Sequence, residues 1–185
     1  MAFETERLRM RPLEADDEGL VCGLYMDGDT MRFIAAPLSP EQALRRFRNA
    51  LKWSNRHPPE CVFLAIFDRA MGRSLGFCAI VQFETGRTRA EVGIMLKSDA
   101  RARGYAREGL GGLVKQTFSV FQVNEIWVKC SARNPIVERM VSSIGFTLCN
   151  GSTIDTGPLS QRIWSVHRSS WSSTNIANNQ RSNHV

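Results

Sequence analysis

The chain has 185 residues, of which 43% are hydrophobic and 23% are charged. This balance is ordinary for a globular protein and gives enough chain for one domain with a real core. The net charge of +6 suits an anionic partner, such as a nucleotide cofactor, RNA or an acidic protein, although a generally basic surface would explain it as well.

The sequence shows no targeting signal and no membrane span. The N-terminus has no apolar signal region, and no apolar run approaches the length of a membrane span. The five cysteines are scattered, odd in number and without CxxC spacing, which argues against a disulfide framework and a zinc site. The three histidines lie far apart and suggest no metal either. We therefore expect a cytoplasmic, metal-free protein.

The first half of the chain predicts a strand, two helices and a meander of strands. Apolar residues alternate with arginines over 7–11, and Pro12 ends that strand. Acidic residues open a helix near 16–25, and the Ser39-Pro40 pair with Gln42 opens another. Three strands separated by short turns follow at 61–67, 75–83 and 91–96, which predicts antiparallel pairing.

The second half predicts a long helix over about 104–121, a strand at 125–130, a helix from Asn134 to Gly145, a loop, and a last strand at 162–167. Three glycines in the long helix favour a close approach to a strand or a ligand, since each costs about 1 kcal/mol against alanine; they are Gly109, Gly111 and Gly112. Residues 172–185 are rich in Ser and Asn, and we expect them to be disordered.

A basic turn lies between the strand 91–96 and the long helix. Its sequence is Arg101-Ala102-Arg103-Gly104-Tyr105-Ala106. A helix N-terminus presents unpaired N–H groups and a partial positive charge, and Gly104 allows the backbone to approach a ligand closely. The turn therefore predicts a diphosphate site.

The same turn resembles a known family. Arg101-x-x-Gly104-x-Ala106 is similar to the (Gln/Arg)-x-x-Gly-x-(Gly/Ala) signature of the GNAT superfamily of N-acetyltransferases. The run from Glu91 to Glu108 resembles the ribosomal-protein (Rim-type) branch, as do the first strand, the helix from Asn134 to Gly145-Phe146, and Trp171. Together these segments cover residues 3 to 171.

The resemblance implies a fold and a co-substrate. The implied fold is mixed α/β (α+β), with a central mixed, mostly antiparallel sheet, splayed between its fourth and fifth strands (91–96 and 125–130) and flanked by about four helices. Acetyl-CoA would lie in that gap, its pantetheine arm hydrogen-bonded to the backbone of Ile94, Met95 and Leu96. A single domain over 1–171 and a homodimer, common in the branch, are also implied.

Glu91 is the candidate base, because an amine with a pKa near 10 must lose a proton before it attacks a thioester. It matches a glutamate that the family often uses on this strand, although pairing with Arg87 or Arg89 on the surface is the alternative. Glu108 is interpreted as structural, as an acid in a first helical turn. Asn134 matches a cofactor-contacting position of the family, although helix capping explains it equally well.

Two positions depart from the family's pattern. Val137 replaces a frequent serine, and Val141 replaces the tyrosine that often acts as general acid. Cys130 could in principle be a nucleophile, but a cysteine in an apolar strand is usually core. Tyr105 and Trp127 could stack on an adenine or on RNA bases.

Two functions fit these features. The first is an acetyl-CoA-dependent N-acetyltransferase acting by direct transfer on a primary amine, either a protein N-terminus or a small molecule. Its acceptor pocket would be built largely by the segment 26–40. The second is a non-catalytic acetyl-CoA-binding or RNA-associated protein on the same fold, which the missing tyrosine favours and Glu91 opposes.

Overall fold

The computed structural model describes residues 1–56, 61–83, 88–154 and 160–171; the tail predicted at 172–185 and Arg87 lie outside these residues. Within these residues, five α-helices and eight strands follow one another in the order β1 (Phe3–Glu4), β2 (Leu8–Pro12), α1 (Glu18–Met26), α2 (Gly28–Met31), α3 (Pro40–Ser54), β3 (Val62–Asp68), β4 (Ser74–Phe83), β5 (Arg89–Leu96), α4 (Tyr105–Val120), β6 (Glu125–Ser131), α5 (Pro135–Ile144), β7 (Thr147–Ile154) and β8 (Gln161–His167).

The strands form one sheet in the order β1-β2-β3-β4-β5-β6-β8-β7. Every neighbouring pair is antiparallel except β5 and β6, which are parallel because α4 carries the chain back across the sheet between them. This mixed, mostly antiparallel sheet confirms the predicted fold class. The splayed strands are β5 and β6, one place later than predicted, because the short β1 adds a strand at the start.

The helices cover the sheet on both faces. One buried cluster joins the sheet to α4 and α5 and includes Leu8, Ile66, Leu113 and Ile126. The other lies against α1 and α3 and includes Phe47. β3 is buried along almost its whole length, as its nearly continuous apolar run predicts.

Local sequence signals place the helix ends. The Ser39 hydroxyl accepts from the Gln42 N–H at 3.3 Å, and the Gln42 side chain accepts from the Ser39 N–H at 2.9 Å, which confirms the predicted capping box. α5 begins after Asn134, whose Oδ1 accepts from the Val137 N–H at 3.3 Å, and ends at Gly145, with φ of 110°.

Two of the helix glycines lie where α4 approaches the sheet. A Cβ on Gly109 would come 3.0 Å from Ile94 Cδ1, and one on Gly112 would come 2.7 Å from Thr5 Cγ2. Close packing of α4 against β5 and the N-terminal segment thus explains why the helix tolerates both residues.

β7 corrects the sequence prediction, which assigned the stretch after Phe146 to a loop. The strand carries Asn150 and Gly151, which are typical of turns, and pairs only with β8 at the edge of the sheet.

The last described residue, Trp171, packs its ring 6.1 Å from that of Phe118. Among the described residues no helix is long and apolar enough to cross a bilayer, and no group of His, Cys, Asp or Glu could hold a metal ion.

Candidate functional site

The turn that joins β5 to α4 is left-handed at two positions. Ala102 has φ of 57° and Gly104 has φ of 78°. The backbone N–H groups of Ala102, Arg103, Gly104, Tyr105 and Ala106 have no acceptor within the described parts of the chain. Adjacent free N–H groups at the start of a long helix form a concave anion site, so the backbone supports the diphosphate role inferred from the sequence.

A buried carboxylate fixes this turn to the N-terminal segment. Glu108 is only 9% exposed. It accepts from the Thr5 hydroxyl at 2.6 Å and from both the backbone N–H and Nε of Arg7 at 2.7 Å. Arg7 also donates through Nη1 to the Arg103 carbonyl at 3.0 Å. These contacts occupy Glu108 fully in holding the turn, in agreement with its interpretation as a structural residue.

The Tyr105 side chain is held by Asp68 and Arg7. Its hydroxyl donates to Asp68 Oδ2 at 2.9 Å, and the Arg7 guanidinium lies 4.8 Å from its ring centroid. Asp68 also accepts from the N–H groups of Ala70 and Met71, both at 2.9 Å. The Met71 N–H and then the Tyr105 hydroxyl hold the pKa of Asp68 below its usual value. With Arg7 on its ring, Tyr105 does not offer the stacking surface expected from the sequence, although its backbone N–H remains in the turn.

The two arginines of the turn differ. Arg101 donates through Nε to the Leu96 carbonyl at 3.2 Å and through its terminal nitrogen to the Thr30 hydroxyl, with Asp27 at 3.7 Å. Its side chain therefore ties the turn to α2, within the segment 26–40. Arg103 is exposed, so it is the arginine whose side chain is free to approach a phosphate.

β5 and β6 separate at Glu91. Their parallel pairing covers Arg89 with Glu125, Ala90 with Ile126 and Glu91 with Trp127, and goes no further. From Val92 to Leu96, β5 pairs only with β4. Each strand residue offers an N–H and a C=O, so one edge of this segment is open. Ile94 packs towards α4 and Met95 towards α1 and α3, which leaves the backbone of Ile94, Met95 and Leu96 as the ligand-facing part.

Glu91 lies at the point of separation. Its side chain is 16% exposed, and Oε2 lies 3.2 Å from Lys129 Nζ on β6. Burial raises the pKa of Glu91 above its usual value, and the Lys129 charge only partly offsets this. Of the two alternative partners, Arg89 places its Nε 2.6 Å from Glu125 Oε2, and Arg87 lies outside the described residues.

Sequence reasoning missed Lys129 as the partner of Glu91. Alternation along β6 places Lys129 on one face with Trp127. That signal was present, but pairing it with Glu91 requires the register between β5 and β6, which no local pattern contains.

The family's usual proton donor has no substitute on α5. Val141 is 1% exposed within the core, and the Val137 N–H is held by Asn134. Asn134 therefore acts as a cap, and any contact with a cofactor would come from the rest of its amide group. Cys130 is 4% exposed and burial raises its pKa to about 12, which excludes it as a thiolate nucleophile.

A cavity of about 650 Å³ lies between α1, α2 and the residues after β5. Its lining includes the carboxylates of Asp17, Asp27 and Asp99. Arginines pair with all three, at 2.7, 3.7 and 3.3 Å respectively. Asp16 is a fourth carboxylate of the lining. Because the cavity adjoins the C-terminal end of β5, away from Glu91, it does not define the reacting centre.

An open strand edge that runs into a turn with free N–H groups, with a carboxylate where the strands separate, is the arrangement that the sequence resemblance predicts. Comparison with known proteins agrees. The model of the acetyltransferase (GNAT) domain family matches residues 7–147. The chain belongs to this family of acetyltransferases, which confirms the resemblance to the GNAT superfamily.

Individual relatives are distant. An uncharacterized N-acetyltransferase, p20, of Bacillus licheniformis is 22% identical over 144 residues, covering 77% of this chain and 80% of that one. Among solved structures, a GNAT-family acetyltransferase of Bacillus anthracis has a TM-score of 0.75 at 18% identity, over 90% of this chain and 98% of that one.

Two further structures show the range of the fold. A spermidine N-acetyltransferase of Vibrio cholerae, in complex with CoA and spermine, has a TM-score of 0.77 at 16% identity, over 90% of this chain and 98% of that one. The ribosomal-protein-S5-alanine acetyltransferase of Vibrio fischeri has a TM-score of 0.72 at 15% identity, over 93% and 99%. The fold is thus shared with Rim-type enzymes and with a polyamine acetyltransferase, so it does not select the branch.

Proposed function

We propose that the protein is an acetyl-CoA-dependent N-acetyltransferase that transfers the acetyl group directly to a primary amine. The observation that carries this proposal is the continuous open backbone formed by β5 from Val92 to Leu96 and the free N–H groups of Ala102 to Ala106. A diphosphate at the turn and an extended amide-containing arm along the strand would satisfy both sets of groups.

Each residue has a defined part in this proposal. The N–H groups of the turn bind the diphosphate, and Arg103 adds charge. The backbone of Ile94, Met95 and Leu96 aligns the pantetheine arm, and Asn134 approaches it from the start of α5. Glu91 accepts the proton of the acceptor amine, directly or through water, and its raised pKa makes it a stronger base than an ordinary carboxylate.

The acceptor class is proposed to be a protein or peptide amine, with a small-molecule amine as the alternative. Support for the former is the likeness of the 91–108 segment to the ribosomal-protein branch. The segment 26–40, which Arg101 ties to the turn, is proposed to line the acceptor side. A screen of N-terminal peptides against polyamines distinguishes the two classes.

Cofactor binding is tested first by thermal unfolding with acetyl-CoA, CoA and ATP. Ligand at one hundred times its dissociation constant adds about 2.7 kcal/mol, a rise of roughly 5–10 °C for a domain of this size. Gly104→Asp places a carboxylate in the anion site and should abolish the rise with both CoA species. No rise for the wild type with any CoA species would overturn the proposal.

The matched control is Gly72→Asp. Gly72 also has a left-handed backbone, with φ of 67°, and nothing lies within 4 Å of the point that a Cβ would occupy. It lies in the turn between β3 and β4, outside the site. This variant carries the same charge and a similar backbone strain, so it should keep the full rise with acetyl-CoA.

A non-catalytic acetyl-CoA-binding protein is the second candidate, because Val141 stands buried where many relatives carry a tyrosine. Steady release of CoA with any amine acceptor excludes it. Binding without turnover across the peptide and polyamine screens would favour it. An RNA-associated role would show instead as an affinity that falls steeply with salt.

A further inference from the structure

Lys129 lies just beyond the point where β5 and β6 separate. The register pairs Glu91 with Trp127, so Lys129 is two residues further along β6, where β5 no longer pairs with it. Its Nζ reaches back across the opening to Glu91 Oε2 at 3.2 Å and lies 4.8 Å from the Trp127 ring centroid. Its side chain is 30% exposed, so the ammonium is not within the core. It lies at the apex of the opening, by which we mean the place beside Glu91 and Trp127 where the pairing of β5 with β6 stops.

Trp127 gives a second, independent observation at the same apex. It is 7% exposed, and its indole N–H has no acceptor among the described residues. Buried donors are normally paired, so an unpaired one at the apex is consistent with a place that receives a polar ligand.

Of the described tyrosines, one is engaged elsewhere and the other packs near the end of β5 that is away from Glu91. Tyr105 donates its hydroxyl to Asp68. The Tyr25 ring packs against Phe77 in a tilted arrangement, with ring centroids 5.6 Å apart, and Phe77 pairs with Met95. Met95 lies about 13 Å along β5 from Glu91, at about 3.3 Å per residue. The other charged groups on this face are Arg89 and Glu125, which pair with each other, and His167, 3.8 Å from Glu125.

We propose that the Lys129 ammonium stabilises the CoA thiolate as it leaves, in place of the tyrosine that the chain lacks. This inference rests on the proposed function. In the free protein Lys129 neutralises Glu91. Once Glu91 has taken a proton from the acceptor, the ammonium loses its counter-charge just as negative charge develops on sulfur.

Atoms and charges balance in this step. The acceptor ammonium gives one proton to Glu91, and its nitrogen forms the C–N bond to the thioester carbon. The C–S bond breaks, and its electron pair goes to sulfur beside Lys129. A second nitrogen proton ends on sulfur, while Glu91 returns its proton to solvent. The products are the amide, the CoA thiol and one proton.

The test titrates the thiol of CoA bound to the protein, through the ultraviolet absorbance of its thiolate, and needs no acceptor. An opposite charge at close range lowers a pKa by about 1–3 units. The comparison is made in Glu91→Gln protein, in which Lys129 has no counter-charge, as after proton transfer. There we expect the pKa of the bound thiol to rise by about one unit or more when Lys129→Met is added, and to stay near the Glu91→Gln value when Lys129→Arg is added. Lys115→Met removes the same charge from an exposed site on α4 and should change nothing.

The outcomes separate the two proposals. CoA bound equally by Glu91→Gln protein with and without Lys129→Met, with the same thiol pKa in both, overturns the role of Lys129 and leaves the proposed function standing. Failure of wild-type protein to bind CoA overturns the proposed function and this inference with it. If Lys129→Met does not fold, Lys129→Gln carries the same comparison.

Discussion

Glu108 and Arg7 are 101 positions apart in the sequence, yet Glu108 Oε2 lies 2.7 Å from Arg7 Nε. The pair joins the residue before β2 to the first turn of α4, next to the proposed diphosphate turn. It therefore couples the edge of the sheet to the ligand-binding backbone.

Glu108→Gln should lower the free energy of unfolding by about 1–2 kcal/mol. The buried carboxylate loses charge-assisted hydrogen bonds, while the 41% exposure of the Arg7 side chain limits the loss. Chemical denaturation measures the change. Glu4→Gln is the matched control, since its pair with Arg69 is exposed on both sides, and it should cost under about 0.5 kcal/mol. Equal losses in the two variants would contradict a special role for Glu108.

Glu91→Gln should reduce kcat/KM by about 10²–10⁴-fold, the range for loss of a general base. In the wild type, activity needs the carboxylate form. Because burial raises the pKa of Glu91, kcat/KM should begin to fall at a higher pH than it would with an ordinary glutamate. The pH profile of kcat/KM, measured with one acceptor, checks this.

Glu138→Gln is the control for the pH profile. Glu138 has a similarly shielded side chain, 15% exposed, in an ion pair with Arg162 at 3.1 Å. Its replacement should leave the acid limb in place. In Glu91→Gln that limb should disappear, and kcat/KM should instead follow the fraction of unprotonated acceptor amine, with an apparent pKa near that of the amine. A profile that keeps the limb in Glu91→Gln would show that another group sets it.

Replacing each arginine of the turn should change a different quantity, either the affinity for acetyl-CoA or the KM for the acceptor. Arg103→Met should weaken acetyl-CoA binding several-fold, more at low salt, because it removes an exposed charge beside a phosphate. Arg101→Met should change acetyl-CoA affinity less and raise the acceptor KM, because it releases α2 from the turn. Isothermal titration and steady-state kinetics measure the pair. The reverse pattern would mean that the Arg101 side chain turns to the phosphate.

Gly76→Ala should destabilise the fold by about 3 kcal/mol or more. A Cβ there would overlap the Met95 carbonyl oxygen and come 2.9 Å from Leu96 Cα, so β4 and β5 would have to move apart. Gly93→Ala, on β5 with nothing within 4 Å of its Cβ position, should be neutral or slightly stabilising. Denaturant midpoints compare them, and similar values for the two would contradict the contact.

Sequence patterns predicted most elements because helices and strands bury one face at a fixed period. The apolar run at 61–67, the cap at Ser39 and the glycine at 145 each act through neighbours in the chain. β7 was missed because its sequence resembles a turn and only pairing with β8 makes it a strand.

The sequence by itself determined most of the elements, the family and the turn that follows β5, because these depend on residues close together along the chain. The tertiary structure decided which side chains meet. Glu91 pairs with Lys129 rather than Arg89, Arg101 turns towards Thr30, and Glu108 holds Arg7. Each of these contacts depends on strand register or helix packing between distant segments, and no local pattern encodes that relationship.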